Sequence, residues 1–236
     1  MHKFKLPKPI INPEISKIVS REVRKQKIVV TRASKKIMNE IIQVSQAIER
    51  FGLPQYLVAK KLPHGLGRGI FLHPDAKPIL KRQVIAPYGG EFSISPQNLD
   101  DDSVYAFGLI NNILLSKVEQ QHLDPKNRFH SRRYYSLNLD AEKKGNFTRF
   151  VNHSEKPNID AELYKIPKNT FGLAETPITV LYIANKKILP GEQLVVCYED
   201  EDKTYWGALK IKPLHITPQT FTLSPSLKLI SSLAMH

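Results

Sequence analysis

The chain carries one cysteine, Cys197, among 236 residues. A lone thiol excludes an internal disulfide and a thiolate zinc cluster made by this chain alone, and it is compatible with a reducing compartment. Long apolar runs are lacking too. A helix crossing a bilayer needs about eighteen uninterrupted apolar residues, and no such stretch occurs. The basic opening MHKFKLPKPIINPEI is broken by proline and has no continuous apolar core, so no classical signal peptide is expected. Among the eight histidines there is no HExxH and no paired metal spacing, and the carboxylates are scattered, so no metal site is expected.

Acidic charge is the scarcer sign. The formal net charge is +13, and its location says more than its size. Residues 1–61 hold fourteen Lys or Arg against four Asp or Glu, whereas the other 175 hold 21 against 18. The excess therefore sits in the N-terminal quarter. Such a block attracts a polyanion or an acidic protein surface at long range; it can equally be a solvated basic face with no dedicated partner.

From Lys35 to Phe51 the apolar residues Ile37, Ile41, Ile48 and Met38, Ile42 recur at helical spacing, with Ser34 as a cap and Gly52 and Pro54 as terminators. The preceding run, Ser20 to Ser34, suits strand or helix. From Tyr56 onward the texture changes to short apolar runs broken by Gly and Pro. YLVAKKL, GIFLH, QVIAPYG, YYSLNL, FTRFVN, PITVLYIA and GEQLVVCYE each suit a short strand. The expected fold is mostly β with short helices. Its expected parts are a basic N-terminal extension with an amphipathic helix (1–55), a β domain (56–200) with an inserted subdomain at about 95–133, and a C-terminal extension (201–236).

Four motifs stand out. HGLGRGIF, from His64 to Phe71, is no dinucleotide fingerprint, because Ile70 occupies the third glycine position and prolines follow where a helix should open. Its alternating glycines let the backbone turn tightly and approach a ligand, or simply turn. IAPYGGE, from Ile85 to Glu91, reads as a strand and a turn. NFTRFVNHSEKPNI, from Asn146 to Ile159, runs from apolar residues into an amide, an imidazole and a hydroxyl (Asn152, His153, Ser154) and stops near Pro157. It reads as a strand delivering hydrogen-bonding groups to a cavity. PGEQLVVCY, from Pro190 to Tyr198, is a turn and then a strand with Leu194, Val196 and Tyr198 on one face. Cys197 is expected to be a small buried hydrophobe. His153 and Ser154 are adjacent, so in a strand they point to opposite faces and cannot pair as base and nucleophile.

In this order the motifs resemble the signature series of SET-domain protein lysine methyltransferases. The segment RFVNHSEKPN is similar to that family's RFINHS-x-x-PN, and GEQLVVCY to its GEELxxxY. The resemblance spans about Leu57 to Glu199. Among SET proteins the chain looks like the small bacterial, chlamydial-type members without a cysteine-rich segment after the last motif. The resemblance implies a fold of several small sheets with knot-like C-terminal threading, and S-adenosylmethionine as cofactor. It places Gly65, Leu66, Gly67, Arg68, Arg149, Asn152 and His153 at the cofactor and makes Tyr198 the catalytic residue. Glu91 would be structural, and Arg149 and Phe150 would also seat the strand.

For the substrate channel the aromatic candidates are Tyr88, Tyr105, Phe107, Tyr134 and Tyr135, with Tyr135 favoured because the family often has an aromatic there. Tyr205 and Trp206 would supply the missing wall and stack on adenine, or merely anchor the tail. The partner implied is a basic protein such as a histone or a bacterial histone-like protein. DNA contact through the N-terminal block is a further expectation, and no membrane partner is expected. A homodimer is left open. The location implied is bacterial cytoplasm or nucleoid, or a host nucleus after secretion. The rival reading is a SET-like module that docks on chromatin or nucleoid without turnover.

Overall fold

The computed structural model describes residues 13–25, 30–63, 67–96, 105–123, 134–165 and 178–198. The expectations for Gly65, Leu66, Tyr205 and Trp206 lie outside these residues.

Helix α1 (Pro13–Lys25) buries Ile15, Ile18 and Val19 in the main core, and with them the whole of Glu22. That carboxylate is held by Arg21 Nε at 2.8 Å, and Arg21 also reaches Glu119 on the short helix α3 (Lys117–Leu123). Helix α2 spans Lys35–Phe51, as its periodicity predicts. Ser34 caps it by accepting from Ile37 N, and Gly52 ends it in the left-handed region at φ 73°.

The strands form three sheets. Strands β2 (Leu57–Lys61) and β3 (Arg68–Leu72) make an antiparallel pair. Strands β5 (Glu91–Pro96), β6 (Ala106–Ile113) and β7 (Tyr135–Asp140) make a second antiparallel sheet with β7 central. The largest sheet runs β4 (Val84–Pro87), β10 (Thr179–Ala184), β9 (Ile159–Lys165), β11 (Val195–Val196) and β8 (Asn152–His153), and β1 (Thr31–Arg32) joins β9 in parallel. Helix α2 lies on this sheet, where Ile41 packs with Val84, Tyr164, Leu181 and Ile183. Its Glu40 accepts the backbone N–H of Val84, which covers the sheet's β4 edge. Among the described residues the architecture is mostly β with three short helices, as expected.

Two expectations fail. FTRFVN is not a strand: residues 147–150 form one 3-10 turn, and only Asn152–His153 are extended. The cause is local, since the Asn146 side chain accepts the backbone N–H of Thr148 and its hydroxyl, winding the chain where aromatic and β-branched residues alone suggest extension. Cys197 is exposed, not buried. Strand β11 ends at Val196, and the chain leaves the sheet at the next residue.

Candidate active site

The topology brings together three motifs that are far apart in sequence. Strand β11 lies between β8 and β9, which are themselves consecutive in the chain. It pairs in parallel with both, Val195 opposite Asn152 and Val196 opposite both His153 and Ile159. The segment before it is stitched to β3 by Leu72 N to Glu192 O and Leu194 N to Ile70 O, at 2.9 and 2.8 Å. The stretch 189–196 is thus flanked by backbone from β3, β8 and β9, and Leu194 to Val196 are buried on both faces. Because Leu194, Val195 and Val196 are all buried, burial does not distinguish one face of this strand from the other.

Asn158 fixes the threading. It is buried and clamps the incoming strand with both ends of its amide, donating to Gln193 O at 2.8 Å and accepting from Val195 N at 2.9 Å. Sequence reasoning passed over this residue, although the Pro-Asn pair after the NHS triplet marked it. Ser154 is a turn residue: its hydroxyl accepts the backbone N–H of Lys156.

The chain then delivers Tyr198. Its hydroxyl donates to the carbonyl of Val151 at 2.6 Å, and its backbone N–H donates to Nδ1 of the buried His153 at 3.1 Å. The two rings lie 5.6 Å apart at 58°. A backbone N–H can only donate, so Nδ1 of His153 carries no proton. Next to His153, Asn152 donates to the carbonyl of Arg68 at 3.0 Å and so ties β8 to the start of β3. Just before β3, Gly67 has φ 71°, where glycine is favoured. A Cβ on Gly69 would lie 2.8 Å from the side-chain nitrogen of the buried Gln193, which would have to shift to make room.

An aromatic and cationic wall stands beside these groups. Arg149, at the end of the 3-10 turn, sits 4.5 Å from the Tyr105 ring centroid and 5.3 Å from that of Phe150, and it donates to Glu142 O at 3.0 Å. Its Nε is buried and has no hydrogen-bond partner among the described residues. The Arg68 guanidinium lies 6.0 Å from the same Phe150 ring centroid. Tyr88 is buried, donates its hydroxyl to Tyr105 O at 2.8 Å, and packs against Phe107 and Tyr182 at 5.9 and 5.5 Å. Tyr135 opens β7 opposite Pro96 and Ile113, at the other end of that strand from Asp140 and the 3-10 turn. Tyr134 is exposed. Glu91 lies at the surface, 3.5 Å from Lys144.

The residues brought together are therefore Arg68, Asn152, His153 and Tyr198, with Arg149, Tyr105 and Tyr88 along one side. A strand threaded between two earlier ones and followed two residues later by a tyrosine bound to the preceding motif is a highly constrained topology, and it coincides with a family assignment. The family model described as SET domain matches residues 20–199. The chain belongs to the SET-domain family. Solved structures similar to this SET domain include the ATXR5 SET domain in complex with histone H3 di-methylated on R26, with 18% identity, 72% of this chain and 68% of that chain covered, and a TM-score of 0.48. Another is the methyltransferase domain of human histone-lysine N-methyltransferase SETMAR, with 19% identity, 64% and 46% covered, and a TM-score of 0.41. No curated protein matches the chain significantly.

No helix among the described residues is long and apolar enough to cross a membrane. Among the described residues no group of three His, Cys, Asp or Glu is placed to hold a metal ion.

Proposed function

We propose that this SET-domain protein is an S-adenosylmethionine-dependent protein lysine N-methyltransferase acting on a basic protein such as a histone or histone-like protein, and that it belongs with the small bacterial, chlamydial-type members. The observation that carries the reading is the setting of Tyr198, whose hydroxyl is fixed by the Val151 carbonyl and whose backbone is fixed by His153. A tyrosine needed only for packing has no use for two such constraints. The pair instead holds one oxygen at a set place beside the glycine turn and the NHS segment. With its proton directed to Val151, that oxygen keeps lone pairs for a partially positive group.

The residues present fit the cofactor. The left-handed Gly67, which has no atom of the described residues within 4 Å of a Cβ built there, and the exposed Arg68 offer backbone groups and a cation for an amino-acid carboxylate. The oxygen end of the Asn152 amide is left for an amine. When bound, S-adenosylmethionine supplies a methyl group activated by a sulfonium. The work left to the chain is alignment and dipoles. Tyr198 places an oxygen where positive charge is to be stabilised, and Tyr88, Tyr105 and Phe107 line an aromatic approach that excludes water. A lysine amine entering beside Arg149 and Arg68 would be held neutral by like charge and poor hydration, so no carboxylate base is required. The basic residues of the N-terminal part (1–55), whose helices α1 and α2 pack on the rest of the fold, are read as a DNA contact, residues 56–200 as the catalytic domain, and residues 201–236 as the closing segment.

The test is transfer of a labelled methyl group to histones and to bacterial histone-like proteins, with Tyr198→Phe beside the wild type. The expected result is transfer by the wild type and a loss of about 10²- to 10³-fold in kcat in the variant, the cost of removing one preorganised catalytic dipole. Failure of the purified chain to bind S-adenosylmethionine in calorimetry would leave the docking-module reading in its place.

A further inference from the structure

We infer that Arg21, on helix α1, is a positioning residue for the aromatic approach to the site and acts on it through strand β6; the role of that approach rests on the methyltransferase reading. Each guanidinium nitrogen of Arg21 has a partner. Nε donates to the buried Glu22 at 2.8 Å, Nη1 to Glu119, and Nη2 to the carbonyl of Leu114 at 3.0 Å. Helix α1 is itself held by Ile15, Ile18 and Val19 in the main core, and the bond to Glu22 orients the guanidinium, so both Nη groups extend from a fixed base. Their targets lie just beyond β6. Leu114 follows the strand directly, and Glu119 belongs to a capping box at the start of α3, where it accepts Ser116 N at 2.7 Å while its own N–H donates to Ser116 Oγ at 3.3 Å. Helix α3 buries none of its residues, which leaves its placement to such polar contacts and to the half-buried Leu123.

Strand β6 is the outer strand of its sheet, with no partner on its far edge among the described residues. Its pairing with β7 shifts register twice, between Gly108 and Ile110 and between Ile110 and Ile113, and Asn112 in the second break has φ 58°. A ladder interrupted on one side and missing on the other resists sliding of the strand only weakly. Ile113 and Leu115 are buried and keep this end against the core, but burial has no direction of its own. The bonds from Arg21 are directional and charge-assisted, and they fix where the end lies along α1. At the strand's other end stands the wall. Tyr105, which directly precedes β6, carries the ring that faces Arg149 and the carbonyl that receives the Tyr88 hydroxyl, and Phe107 packs 5.9 Å from Tyr88. The eight residues of β6 therefore join the Arg21 anchor to the aromatic approach.

The experiment compares the full wild-type chain with Arg21→Ala, Glu119→Gln, the two combined, and Arg24→Ala. Arg24 is exposed on the same helix and donates back to Ser20 O at 3.1 Å, so its variant is the control and should match the wild type. Amide hydrogen exchange, read without cofactor or protein substrate, should quicken about fivefold over residues 106–115 in Arg21→Ala, the effect of losing a partly exposed anchor, and stay unchanged in β9 and β10. In methyl transfer the KM for a histone substrate should rise by about the same factor, while cofactor affinity in calorimetry stays at the wild-type value because Arg68, Asn152 and His153 lie outside this sheet. Adding Glu119→Gln to Arg21→Ala should change little further, since the two act as one contact. Unchanged exchange over 106–115 overturns the inference. So does quickened exchange without a change in KM, or a loss spread evenly over all three sheets, which marks an ion pair that only stabilises the fold. A wild type that transfers no methyl group refutes the methyltransferase reading, and the exchange result still decides whether Arg21 anchors β6.

Discussion

Replacing His153 tests whether its imidazole acts through Tyr198. Only Nδ1 is used in the observed bond, accepting Tyr198 N–H at 3.1 Å inside a residue that is 5% exposed. An asparagine at 153 places its side-chain oxygen near the position of Nδ1, whereas a glutamine reaches toward Nε2 and a leucine offers no acceptor. Leaving a largely buried backbone N–H without a partner costs about 1–3 kcal/mol. The contact between the His153 and Tyr198 rings, of a kind whose loss costs about 0.5–1.5 kcal/mol, is lost in all three variants alike. The expected order of stability in chemical denaturation is therefore wild type, then His153→Asn, then His153→Gln and His153→Leu lower by about 1–3 kcal/mol. In methyl-transfer kinetics the Asn variant should keep most of kcat, while Gln and Leu should lose about tenfold or more in kcat with a smaller change in cofactor KM, because a displaced hydroxyl harms alignment more than binding. If Asn proves as damaging as Leu in both measurements, the Nδ1 contact is not what positions Tyr198.

Two further outcomes follow from other parts of the fold. Asn158→Ala leaves the Gln193 carbonyl and the Val195 N–H without the amide that clamps them. A loss of about 2–5 kcal/mol is expected, together with faster amide hydrogen exchange in β11; exchange confined to other strands would show that the clamp does not hold the thread. The hydrogen bonds from Arg82 depress the pKa of Glu162 below the usual carboxylate range. A depressed folded-state pKa means stability that is present above the unfolded value, near 4.3, and is lost as pH falls through the lower folded value. Glu162→Gln should thus cost up to about 1 kcal/mol at pH 7, because the pair is partly exposed, and little once the pH lies well below the carboxylate range. Equal losses at both pH values, read by urea denaturation, would remove the ion pair as the cause.

What the sequence made legible was contiguous. Helix α2 announced itself within seventeen residues, with cap, apolar face and terminating glycine all local. Strands β3, β4, β7 and β10 were visible as apolar runs because both their faces, or most of them, are covered. Strand β9, IDAELYK, went unremarked. Its Asp160 and Glu162 make it look like a surface segment, and the groups that donate to them, Asn185 and Arg82, lie outside the strand, 25 and 80 residues away. Strand β6 was absorbed into a polar insertion, although it pairs with β7 along its length. The 3-10 turn was misread because one side chain, Asn146, overrides the preference of its neighbours.

The site divides in the same way. Asn152, His153 and Tyr198 could be named as residues, but the acceptor that fixes the Tyr198 hydroxyl is a backbone carbonyl, and a carbonyl leaves no trace in residue type. Nor could spacing rank the aromatics. Tyr88 and Tyr105 come together because the Tyr88 hydroxyl reaches the Tyr105 carbonyl just before β6, while Tyr135 pairs with Ile113 at the far end of that strand. The threading explains why the order of the motifs carried more information than any one of them. The segment 189–196 pairs with backbone from β3, β8 and β9 at once, and Asn158 clamps it there. These contacts are nonlocal in sequence, and the placement of Tyr198 depends on them. Any substitution that loosens the thread should lower activity through the placement of one hydroxyl before it lowers the stability of the sheets around it.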